Sequence, residues 1–273
     1  MKVNLHTHTY RCHHADGTDE EYVLAAIEAG YTKLGFADHT PFPYENGYVR
    51  SDKMLPNELN GYIDSIRKLQ QKYAGQIEIL LGLECESVPR FFPYLREVRK
   101  QLDFMILGSH GDGSIGDKFF GRIQDPALFD RYLDATVTGM ESGMFLYLAH
   151  PDVCFLSYPE FDRAAERVSR ALCREAKRLN MPIEYNLKGL DKILVPGALG
   201  YPCDGFWRIA AEENNTAVIG IDAHSPKAIL EADLDTAKQY LNNLGIPFLE
   251  DSSTLLEAER TVKKSVANNS ILL

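Results

Sequence analysis

KLGFADH, residues 33–39, and ELNGYIDSIRKLQQKYAGQIEILLGLE, residues 58–84, are the stretches on which the fold turns. The first is a short apolar run that ends in an aspartate and a histidine. The second opens as a helix, because Leu59, Tyr62, Ile66 and Leu69 recur three and four residues apart over 58–73. It closes as a second continuous apolar run, 77–83, that stops at Glu84. Apolar strands alternating with amphipathic helices predict a parallel sheet covered on both faces.

Working outward, the same unit recurs. Further strands are expected at 3–5, 104–108, 145–149, 182–185 and 217–221, and further helices at 20–29, 164–179 and 227–244. Seven units predict an α/β fold, a closed or nearly closed (β/α) barrel. A doubly wound open sheet shares the local pattern. Residues 246–249 could add an irregular eighth strand, and 254–265 read as a terminal helix. The longest irregular piece, 40–56, follows a strand, where barrel enzymes place loops that cover substrate. No low-complexity stretch or linker interrupts the 273 residues, so one domain over 1–273 is expected.

The first residues, MKVNLHTHTY, lack the basic start and apolar run of a signal peptide, and no stretch approaches the roughly 18 apolar residues that span a bilayer. A cytoplasmic protein is the default expectation. The five cysteines, Cys12, Cys85, Cys154, Cys173 and Cys203, form no CxxC pair, which argues against a disulfide framework or a structural zinc knuckle. A net charge of −10 argues against an extended nucleic-acid surface. Bound divalent ions would add about four to six positive charges locally, so a small anionic substrate remains compatible.

Chemistry enters with the eight histidines. His6 and His8 end the first strand, His13 and His14 sit in its loop, His39 ends the second, His110 the fourth, His150 the fifth and His224 the seventh. The third strand ends in Glu84, the sixth carries Glu184 and Asn186, and the seventh adds Asp222. The C-terminal ends of parallel barrel strands converge on one face, where active sites form. His6 and His8, two apart on a strand, point to one side and can share an ion, as can Asp222 and His224. A lone histidine is usually a surface or hydrogen-bonded residue. Eight at one end of the sheet point instead to divalent metal, with zinc, manganese or iron suited to imidazole and carboxylate. Of His13 and His14, one is a bystander.

These residues resemble the polymerase and histidinol phosphatase (PHP) family. The motifs that carry the resemblance are His6-Thr7-His8, Cys12-His13-His14-Ala15-Asp16-Gly17, Ala37-Asp38-His39-Thr40, Gly82-Leu83-Glu84, Gly108-Ser109-His110, Ala149-His150-Pro151 and Ile221-Asp222-Ala223-His224. The resemblance implies a distorted seven-stranded (β/α) barrel with its metal site at the C-terminal face of the strands. It implies one ion held by His6, His8, Glu84 and Asp222, a second bridged by Glu84 and completed by His110 and His150, and a third at His14, His39 and His224. The family pattern Cys-x-His-Ala-x-Gly places that ligand at His14 rather than His13, with Asp16 nearby as an alternative. The Cys-x-His-Ala motif and Ile183-Glu184-Tyr185-Asn186 resemble the single-domain histidinol-phosphate phosphatases of histidine biosynthesis.

The reading that follows is a metal-dependent phosphatase cleaving a small phosphate monoester, histidinol phosphate first among candidates, through in-line attack by a metal-bound hydroxide. Glu84 and Asp222 are the candidate catalytic carboxylates, with Asp222 orienting or deprotonating water. Arg11, Arg50 and Lys188 are candidate phosphate contacts. Glu184 and Asn186 are candidates for steadying the ligands or for binding substrate. Alternatives are a nucleotide phosphatase or phosphodiesterase on the same cluster, an amidohydrolase-type C–N hydrolase, or a non-catalytic protein stapled by metal. The oligomeric state is open.

Overall fold

A computed structural model describes residues 2–116, 118–191, 195–251 and 255–256. Seven strands pair in sequence order, every neighbour parallel: β1 (Val3–Asn4), β2 (Lys33–His39), β3 (Glu78–Cys85), β4 (Phe104–Gly108), β5 (Leu148–Ala149), β6 (Ile183–Asn186) and β7 (Ala217–Gly220). The sheet curls until its edges nearly meet. Beyond β1 and β7 a parallel bridge joins Thr7 to Ala223, with His8 N donating to Ala223 O at 2.9 Å. Asn4 helps to close the seam, its Oδ1 accepting from Ile221 N at 3.0 Å. The result is the seven-stranded (β/α) barrel, not the open sheet.

The helices are α1 (Asp19–Glu28), α2 (Leu59–Lys72), α3 (Phe92–Arg99), α4 (Phe129–Glu141), α5 (Arg163–Arg178), α6 (Asp204–Glu212), α7 (Pro226–Glu231) and α8 (Leu234–Leu244). Local chemistry sets their starts. Thr18 and Glu21 form a reciprocal capping box before α1. Asp162 accepts from Ala164 N and Ala165 N at the head of α5. The expected helix over 227–244 is two helices, because Asp233 caps a fresh start by accepting from Thr236 N. The eighth strand is reduced to one parallel bridge between Phe248 and Ala217. The terminal helix expected at 254–265 lies largely outside the described residues.

Two cores result. The larger fills the space between helices and sheet; a smaller one, with Leu5, Leu80, Phe104, Ile106 and Tyr147, plugs the barrel interior. Phe104 fits there because its neighbours on β2 and β3 are glycines. A Cβ on Gly35 would come within 2.9 Å of the Phe104 ring, and one on Gly82 within 2.5 Å. This plug is the floor beneath the polar end of the barrel. Among the described residues, no helix is long and apolar enough to cross a membrane.

Phe104→Ala should empty that floor and cost about 3–5 kcal/mol of stability. Urea unfolding monitored by far-UV circular dichroism checks it, and a loss below about 1 kcal/mol would mean the interior repacks around the void.

Candidate metal centre

The strands end in a ring of imidazoles and carboxylates. His6 Nε2 and His8 Nε2 lie 3.1 Å apart. His8 Nε2 is 3.1 Å from Asp222 Oδ1 and 3.5 Å from Glu84 Oε2; His6 Nε2 is 3.6 Å from Glu84 Oε2. The other oxygen of Glu84 faces His150 Nε2 at 2.8 Å and His110 Nε2 at 3.4 Å. His14 Nε2 meets His224 Nε2 at 3.0 Å, with the His39 ring stacked 5.3 Å from His14. The nine residues expected to hold metal are thus gathered at one end of the barrel. His13 turns outward to within 4.0 Å of Glu58, leaving His14 facing the cluster. Asp16 lines a neighbouring cleft of about 640 Å³.

Two glycines make room for the carboxylates. A Cβ at Gly108 would overlap Glu84, and one at Gly220 would overlap Glu184. Two cluster residues also hold backbone conformations that side-chain-bearing residues rarely adopt, Asp222 at φ 54° and His150 at φ 28°.

The donor set fits cations. His14 Nδ1 donates to Cys12 O at 2.7 Å and His224 Nδ1 to Asp222 O at 2.9 Å. With the proton on Nδ1, both Nε2 atoms present lone pairs to each other at 3.0 Å, an arrangement that a cation between them would satisfy. Burial pushes His14 down to about 4 and holds His39 and His224 well below the ordinary imidazole value. Glu84 Oε2 and Asp222 Oδ1 are buried without a hydrogen-bond partner. Burial opposes ionisation of both, but His110, His39 and His6 around Glu84, and Lys188 and His6 around Asp222, hold them well below the carboxylate range. Three residue sets, His6–His8–Asp222, His6–Glu84–His150 and His8–His39–His224, each bring their donor atoms within 4.8 Å of one another.

The supporting groups divide differently from the sequence expectations. Glu184, fully buried, accepts from His6 Nδ1 at 2.8 Å and from His150 N at 3.1 Å, and Asn186 donates to Glu184 and to Asp222. Both sit beneath the ligand ring. Arg11 is 6% exposed and locked to Asp19 at 2.7 Å, away from the cleft. Arg50 makes a two-point pair with Asp52. Lys188 reaches the cluster, 3.9 Å from Asp222 Oδ1. The cleft above the cluster measures about 320 Å³, and Lys53, Phe119, Arg122 and Tyr201 on its wall were not expected from sequence. Nor was Glu86, whose Oε1 accepts from His110 Nδ1 at 3.0 Å. Strand alternation could have found Glu86, two residues beyond Glu84. The loop residues carried no comparable signal.

A family model, the PHP domain, matches residues 4–186. The chain belongs to the PHP family. A curated relative, a probable histidinol-phosphatase of Deinococcus radiodurans, is 32% identical over 242 residues, 86% of this chain and 90% of the relative. The histidinol-phosphatase of Bacillus subtilis is 23% identical, over 82% of this chain and 94% of its own. Among solved structures, a histidinol phosphate phosphatase from Lactococcus lactis, crystallised with zinc, L-histidinol and phosphate, superposes with a TM-score of 0.68 at 18% identity, covering 91% of this chain and 95% of that one. The family and the buried donor set together make this a divalent-metal-binding chain.

Glu84→Gln should release metal and lower turnover by orders of magnitude, because a neutral amide removes the negative charge at the middle of the imidazole ring; full metal content with normal turnover in that variant would remove Glu84 from the metal centre. Gly108→Ala should also deplete metal by displacing Glu84, while the chain still unfolds cooperatively. Elemental analysis of both purified variants gives the answer.

Proposed function

We propose that this PHP protein is a phosphoric monoester hydrolase whose substrate is histidinol phosphate, released as histidinol and phosphate. The observation that carries the reading is the pairing of facing Nε2 atoms with orphaned carboxylate oxygens at the bottom of a small cleft. Relatives named for this activity match nearly end to end.

His6, His8, Glu84 and Asp222 would hold one ion, Glu84, His110 and His150 a second, and His14, His39 and His224 a third, with zinc, manganese or iron compatible with these donors. Such ions supply Lewis acidity and ionise water near neutral pH. The protein's own groups do the rest. Asp222 lines the cleft, and its Oδ1, buried without a hydrogen-bond partner, is placed to accept a proton from the attacking water. Asn186 steadies the other oxygen of Asp222 at 3.3 Å. Lys188 and Arg122 on the cleft wall offer cationic donors to the phosphoryl oxygens. Phe119, Val153 and Tyr201 supply apolar wall for the organic half of the substrate.

Protein of measured metal content should release phosphate from histidinol phosphate faster than from nucleotides or short oligonucleotides. Chelation should abolish the activity, and zinc or manganese should restore it. A preference for nucleotides or diesters would move the protein to another branch of phosphoester chemistry. Lys188→Met should raise KM for histidinol phosphate about tenfold or more, the loss of one charge-assisted hydrogen bond.

A further inference from the structure

Lys53 is carried by the long segment between β2 and α2, yet it is only 3% exposed. Its ammonium pairs with Glu86 Oε1 and lies 3.4 Å from His39 Nδ1. The same Oε1 of Glu86 accepts from His110 Nδ1 at 3.0 Å, so His110 turns its Nε2 toward Glu84. Glu86 is itself buried, its Oε2 without a partner. Burial opposes its ionisation, but Lys53 and His110 hold the carboxyl down to about 2.

The segment that delivers Lys53 is fastened along its length. Phe42 and Tyr44 pack on Phe91 with ring centroids 5.1 and 5.2 Å apart, and Tyr94 Oη donates to Pro41 O at 2.9 Å. Gly116 N donates to Tyr48 Oη at 3.4 Å, joining the segment to the loop after β4. Lys53 therefore enters the cluster from a segment anchored on two sides.

We propose that Lys53 is a positioning residue of the metal centre, which fixes Glu86 and through it the His110 ring. This rests on the metal-centre reading above. A carboxylate that receives the Nδ1 proton of a ligating histidine fixes its tautomer and aims its other nitrogen. Lys53 adds a further layer, because it supplies the charge paired directly with the buried Glu86, leaving His110 as its other hydrogen-bond donor. One lysine from a loop thus sets the aim of a strand-end imidazole through a buried carboxylate.

The test is divalent-ion affinity, read by competition of zinc with a chromophoric chelator. Lys53→Met should weaken one class of bound ion about 10–100-fold and leave the tightest class unchanged, a selectivity that a general packing defect would not produce. Glu86→Gln should weaken the same class. The neutral pair Lys53→Met/Glu86→Gln should lose no more than Glu86→Gln alone, since both residues act through one ring. The pair also keeps the test decisive if the single lysine variant does not fold. Full zinc affinity in Lys53→Met, or in the pair, overturns the role of Lys53. An unmutated chain that binds no zinc overturns instead the metal-centre reading beneath it.

Discussion

Glu84 sits on the axis of the ring with one oxygen turned to His110 and His150 and the other to His6, His8 and His39. At 1% exposure it has almost no water to stabilise it, and an uncompensated buried carboxylate costs several kcal/mol. The rest of the polar end follows from that constraint. Gly108 must lack a side chain for Glu84 to lie across it. The imidazoles must come from neighbouring strands, since only the barrel's convergence brings five of them to one carboxylate. Among the five, His6 and His110 have their outer nitrogens tied down by Glu184 and Glu86, and at the neighbouring rings of His14 and His224 Cys12 O and Asp222 O do the same, so that the inner nitrogens face the centre.

The gathering of imidazoles and carboxylates at one end of the barrel was legible in the sequence because it depends on two simple regularities: strand alternation, and the convergence of parallel strand ends. His6 with His8 and Asp222 with His224 follow from the first, and His39, Glu84, His110 and His150 from the second. What escaped prediction depends on competition between side chains. Arg11 had the right address, in the loop after β1, but Asp19 at the head of α1 claims it. For Glu184 and Asn186 the sequence left two roles open, steadying the imidazoles or meeting a substrate, and the depth of β6 puts them beneath the ring. The break between α7 and α8 turns on one capping aspartate in a stretch of otherwise helical periodicity. The left-handed backbone at Asp222 and His150 has no sequence signature at all, since neither is glycine.

Family membership and the donor set say what kind of chemistry the centre supports. The cleft walls decide which substrate meets it. These walls come from loops after different strands: Lys53 from the second, Phe119 and Arg122 from the fourth, Val153 from the fifth, Lys188 and Tyr201 from the segment after the sixth. Most of these wall residues stand apart from the imidazoles and carboxylates at the strand ends, so selectivity can change there without disturbing the donor set; Lys53, which reaches His110 through Glu86, is the exception.

The seam between β1 and β7 gives the centre a second meaning. β1 has only two residues in the ladder, and one of the closing contacts is an asparagine side chain rather than a backbone pair. His6 and His8 lie on one bank of that gap, Asp222 and His224 on the other. A cation gripped from both banks would act as a clasp, so that shutting the barrel and loading the ion become a single equilibrium. The end of the molecule that does chemistry would then also keep its first and last strands from parting.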